Sequence, residues 1–219
     1  MKTNESLQKD VQDALKWEPL LHSAEIGVTV KDGVVTLLGT VDSYTKKLEA
    51  EHAAKMVSGV KAVVEKIEIK YGNYGKKSDE DIAKEIINAF KWNWSVPDDK
   101  MKVKVENGWV TIEGTVTWNY QKEAASTAVR NLLGVLGITN NIVIKSECND
   151  KIEKSVIENA LLRNWSIDDE DIKVEVKANE VTLSGTVDSY YEKDEAERIA
   201  WNAPGVISVN NELALYNEM

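Results

Sequence analysis

The chain is short of the residues that most often carry chemistry. Its 219 residues include one cysteine (Cys148), two histidines (His22 and His52) and one phenylalanine. A lone cysteine excludes an intramolecular disulfide and agrees with a reducing compartment. Cys148 has no basic group beside it to favour a thiolate, which argues against a nucleophile. Neither histidine has a second His or Cys at ligand spacing, so both read as surface residues rather than metal ligands. Also missing are G-x-x-x-x-G-K-[ST], G-x-G-x-x-G and G-x-S-x-G, the usual nucleotide and hydrolase signatures. No run approaches the ~18 apolar residues that a spanning helix needs. Met1 to Ser6 contains no apolar stretch of the kind a signal peptide requires. These absences predict no catalytic residues, no cofactor and no transmembrane segment. The expected compartment is the cytoplasm, or the periplasm if a leader has been trimmed away.

Repetition is what the chain does have. Three segments align: Gly33-Val34-Val35-Thr36-Leu37-Leu38-Gly39-Thr40-Val41, Gly108-Trp109-Val110-Thr111-Ile112-Glu113-Gly114-Thr115-Val116, and Asn179-Glu180-Val181-Thr182-Leu183-Ser184-Gly185-Thr186-Val187. The central glycines, Gly39, Gly114 and Gly185, lie 75 and then 71 residues apart, and each is followed 20 residues later by Gly59, Gly134 or Gly205. A fixed spacing kept three times marks a structural repeat. The four-residue difference falls in the linkers, of which the first, from Lys70 to Ser78, is longer and glycine-containing. It predicts a first copy free to move and a second and third packed closely.

Within a copy the pattern changes period. Leu7, Val11, Ala14 and Leu15 have helical spacing, matched by Ile82, Ile86, Ala89 and Phe90, and by Ile157, Ala160 and Leu161. Alternation follows at Ile26, Val28 and Val30, at Met101, Val103 and Val105, and at Ile172, Val174 and Val176, the mark of half-buried strands. Asp32-Gly33 and Asn107-Gly108 are strong hairpin signals; in the third copy Asn179 is expected to take the same part. A second helix with a small-residue face (Ala50, Ala53, Ala54; Ala125, Ala128; Ala196, Ala200) is expected to end at the Gly-Val pair, with glycine at the left-handed C′ position. A last strand completes the unit. The prediction is an α+β chain of three tandem α-β-β-α-β modules, residues 3–71, 78–146 and 149–217, each with two helices on one face of a three-stranded mixed sheet. The opposite face, carrying Val34 and Leu38, Trp109 and Glu113, or Glu180 and Ser184, is expected to stay open.

Charge is shared unequally. Residues 1–77 carry 12 basic and 11 acidic groups, net +1; residues 78–147 are net −2 and residues 148–219 net −9. No basic stripe exists for nucleic acid, and the third copy is unsuited to anionic lipid. Asp168, Asp169, Glu170 and Asp171 form the densest acidic run, a weak candidate cation site against the plainer reading of a solvated loop. Seven tryptophans stand beside the single phenylalanine. Trp17 and Trp92 are counterparts, as are Trp94 and Trp165, and such repetition predicts a role in capping the core. Trp118 and Trp201 have no aromatic counterpart; with Trp109 on the open face, they are the candidate contacts to a partner or a neighbouring module.

The alternating strand, the G-V-V-T-L-x-G-T-V segment, the helix and the later G-V together resemble the BON domain, a family of bacterial osmotically inducible and nodulation-related proteins. The resemblance covers nearly the whole chain and implies a non-enzymatic protein. It implies association with osmotic and envelope stress, with phospholipid or membranes, or with pore components, and one cytosolic relative that binds potassium. The motif glycines then mark the fold. The expected function is a stress-associated protein that binds a partner protein or lipid surface. A potassium or calcium sensor and a self-associating scaffold are the alternatives.

Overall fold

The computed structural model describes the chain except for residues 1, 22–25, 72–76, 146–151, 153, 165–166, 168–170 and 217–219. The first helix of each module is α1 (Asn4–Trp17), α3 (Asp79–Trp92) and α5 (Lys154–Leu162). Their buried residues keep the spacing read from the sequence: Leu7, Val11 and Leu15; Ile82, Ile86 and Phe90; Ile157 and Leu161. Capping oxygens start two of them, Thr3 accepting from the Ser6 N–H at 3.2 Å and Ser78 from the Asp81 N–H at 3.1 Å.

Each hairpin pairs two antiparallel strands: β1 (Ile26–Lys31) with β2 (Val34–Val41), β4 (Met101–Glu106) with β5 (Trp109–Val116), and β7 (Ile172–Lys177) with β8 (Glu180–Val187). The second helix, α2 (Tyr44–Lys55), α4 (Asn119–Arg130) or α6 (Tyr190–Trp201), then crosses over. It delivers β3 (Ala62–Ile69), β6 (Gly137–Ile144) or β9 (Ser208–Leu215) parallel to the central strand. Each sheet is therefore mixed, with both helices on one face over a core of Val, Ile, Leu and Ala. Full burial of one such Val, Ile or Leu contributes roughly 1.5–3 kcal/mol, so each small module depends on its stripe staying in phase.

The turns depart from expectation at two places. In the first two hairpins both central residues have positive φ, Asp32 +52° with Gly33 +82° and Asn107 +51° with Gly108 +79°. In the third it is Ala178, not Asn179, that takes the left-handed position, at +54°. Asn179 instead uses its side-chain amide to reach Gly205 O at 2.7 Å. The second helices also end earlier than the glycines: α2 closes at Lys55 with Met56 as its cap, so Gly59 is not the C′ residue. Gly59, Gly134 and Gly205 serve the turn beyond, with φ of +98°, +103° and +90°. Gly185 answers a different need, since a Cβ there would lie 1.9 Å from the carbonyl of Asp171.

The modules touch through recurring surfaces. Between the first and second, Thr45 Oγ1 shares its proton between Arg130 O at 2.9 Å and Asn131 Oδ1 at 3.0 Å, and Tyr71 donates to Val135 O at 3.0 Å. Tyr44 packs on the second module's core, as do Trp201 and Ile207 of the third, the counterparts of Arg130 and Leu136. The third returns to the first through Tyr190, the counterpart of Tyr44, which donates to Lys61 O at 2.6 Å. Contacts that run from module one to two to three and back to one make a closed cycle. The longer first linker does not leave the first module free, because Tyr44, Thr45, Tyr71 and Lys61 hold it on both sides.

Candidate interaction surface

Trp17 and Trp92 are the last residues of α1 and α3, and Trp94 lies just beyond α3. They are 89%, 90% and 90% exposed, so the expectation that they cap the core is overturned. The cause is helical phase: Trp17 follows the buried Leu15 by two residues, about 200° around the helix, and Trp92 follows Phe90 by the same step. Both indoles are turned away from the sheet. Trp165 lies outside the described residues. A shallow groove of about 500 Å³ borders Trp17, floored by Ala14, Ala53 and Met56 between α1 and α2.

Each of these helix ends pairs a base with a bulky apolar group: Lys16 with Trp17, Lys91 with Trp92, and Leu162 with Arg163, all exposed. Leu20 is exposed close by. These three ends are equivalent positions of successive modules, exposing indole, leucine and cation on a molecule of net charge −10. The base and the tryptophan were visible in the sequence. Their outward direction could have been read from the phase of Leu15 and Phe90.

The three other tryptophans have separate settings. Trp109, 52% exposed on the open sheet face, donates from Nε1 to Thr139 Oγ1 at 2.8 Å. Its ring covers Gly137, where a Cβ would come within 2.4 Å of the indole. Trp118, 40% exposed, is the N-cap of α4, where the other modules have Ser43 and Ser189. Lacking a capping oxygen, it relies on Gln121 Oε1, which accepts from the Trp118 N–H at 3.1 Å and the Thr117 N–H at 3.0 Å. Trp201 is half-buried between the cores of modules two and three. Val34 and Leu38 remain exposed, and the described contacts between modules run through helix ends and loops instead.

Of the acidic run, Asp168, Asp169 and Glu170 lie outside the described residues, and Asp171 is exposed at the entry to β7. Among the described residues no group of three or more His, Cys, Asp or Glu is placed to hold a metal, and no helix is long and apolar enough to cross a membrane. His52 is exposed, with Nδ1 4.0 Å from Glu49 Oε1; His22 and Cys148 fall outside the described residues. One carboxylate is perturbed where modules three and one meet. Partial burial of Asp194 raises its pKa above the ordinary value, against the opposing pull of Lys55 and His52.

The family model of the BON domain matches residues 3–71, 78–146 and 149–216. The chain belongs to the BON domain family. It is also 30% identical over 152 residues to osmotically-inducible protein Y of Escherichia coli, covering 66% of this chain and 75% of that one. Among solved structures it matches CdsD, a structural protein of the type III secretion system of Chlamydia trachomatis. That match covers 95% of this chain and 91% of the other at 16% identity, with a TM-score of 0.27, too low to carry any argument about this protein.

Proposed function

We propose that this protein is a non-catalytic, stress-associated binding protein that attaches to a lipid surface by the exposed tryptophans at its helix ends. The observation that carries the reading is the near-complete exposure of Trp17, Trp92 and Trp94 at equivalent ends of successive modules. Indoles left in water have no stabilising role in their own modules. At a membrane interface, however, their apolar rings and N–H groups both find partners. Lys16, Lys91 and Arg163 supply local positive charge where the lipid phosphates would lie. The similarity to an osmotically inducible protein supports the association with stress.

The net charge of −10 sets the expected lipid preference. An anionic surface repels the acidic third module, so the insertion of indoles must dominate the attraction. Co-sedimentation with zwitterionic vesicles is therefore expected to equal or exceed that with anionic vesicles. W17A/W92A/W94A should remain in the supernatant with both. Wild-type protein that sediments with neither kind of vesicle would eliminate the lipid reading and leave a protein partner as the occupant of the exposed tryptophans.

A further inference from the structure

We propose that the surfaces seating the first module also accept the first module of a second copy of this chain, giving an exchanged dimer. This inference is independent of lipid attachment. It begins with the seam where module three closes on module one. No chain segment bridges the two there, whereas the other two junctions are joined by linkers. A cavity of about 620 Å³ occupies the seam, lined by Lys2, Leu7, Lys61, Asp188 and Tyr216 among others. In the first junction, Tyr71 bonds to Val135 O at 3.0 Å, while its counterpart Asn217 lies outside the described residues. Among the described residues, the direct hydrogen bond across the seam is that of Tyr190 to Lys61 O.

The two seam faces are chemically unlike and complementary. Module three, net −9, presents Tyr190, Asp188 and Asp194; module one, net +1, presents Lys61 together with Lys2 and Lys55, which also pair within their own module with Asp10 and Glu51, each at 2.7 Å. A head-to-tail contact of this kind is satisfied equally by the chain's own module or by that of another copy. Tethering favours the closed monomer while protein is dilute, because a short linker supplies an effective concentration on the order of millimolar. The first linker is the longer of the two, so module one has the wider reach once the contacts that hold it on both sides are released. Exchange of a whole module keeps each junction's contacts and closes each ring of three modules.

Charge reversal across the seam supplies the test. Asp194→Lys sets an introduced lysine against Lys55, and Lys55→Glu sets an introduced glutamate against Asp194, so each variant repels itself. In a mixed dimer, the introduced lysine of one chain meets the introduced glutamate of the other, and the remaining Asp194 meets the remaining Lys55. Native mass spectrometry of the two full-length variants, mixed in equal amounts and concentrated, should show a heterodimer in excess of either homodimer. Wild-type chain should show a reversible dimer as its concentration rises towards millimolar, and dilution should return it to monomer. A wild type that stays monomeric throughout, or a mixture whose dimers are statistical, would overturn the proposal. The wild-type series keeps it falsifiable even where a variant fails to fold.

Discussion

Ala178 holds a conformation that its side chain disfavours. It stands where Asp32 and Asn107 stand in the other modules, with φ of +54°. The left-handed region costs a residue with a Cβ roughly 1–2 kcal/mol, a penalty that glycine avoids. Ala178→Gly is expected to stabilise the third module by about 1 kcal/mol, read as a higher urea midpoint. No change, or a lower midpoint, would mean that the turn is not strained as described. The sequence pointed to the wrong residue because asparagine is the better known left-handed turn former. The alignment with Asp32 and Asn107 already placed Ala178 in that position. The tryptophans teach the same lesson. Their repetition suggested the core, while their two-residue offset from Leu15 and Phe90 placed them outside it.

At the scale of elements, the period of the apolar residues made helices, strands and topology readable in advance. Polar ties between elements were not readable, because they depend on where backbone groups meet. Asp79, in the first turn of α3, accepts from the N–H of Asn107 at 2.7 Å and of Gly108 at 2.9 Å, fastening the helix to the hairpin. Asn4 does the same to Asp32 at 2.9 Å. Asn140 donates to Lys122 O and Ser126 Oγ and accepts from the Ile142 N–H, and Asn211 repeats the pattern with Lys193, Glu197 and Leu213. The first module substitutes Glu65, paired with Lys47 at 2.8 Å. Asp79→Ala removes charge-assisted bonds to two backbone groups and is expected to cost about 1–2 kcal/mol in the second module. Amide exchange at Asn107 and Gly108 should quicken with it; unchanged exchange would show that the tie does not hold the turn.

At the scale of the whole molecule, the closed cycle of modules determines what is left exposed. The linkers alone suggested a loose first module, because Tyr44, Thr45 and Tyr190, which hold it together with Tyr71 of the linker itself, lie on helices distant from the linker in sequence. Asp194 reports on the same closure. Its raised pKa means that the folded protein binds this proton more tightly than the unfolded chain does. Below the ordinary carboxyl pKa both states are protonated and burial carries no penalty. The penalty develops as pH rises from that value through the raised one, and is complete above it. Asp194→Asn should therefore melt higher than wild type at neutral pH, with the difference shrinking in acid. A difference that grew on acidification would contradict this sign.

The central claim is that the exposed tryptophans form the working surface, and their own emission is its most direct test. Trp17, Trp92 and Trp94 stand in water, so vesicles of zwitterionic lipid should shift the wild-type emission to the blue and protect it from iodide quenching. W17A/W92A/W94A, folded and equally stable, should show neither effect. An emission spectrum and quenching unchanged by vesicles in the wild type would contradict the account.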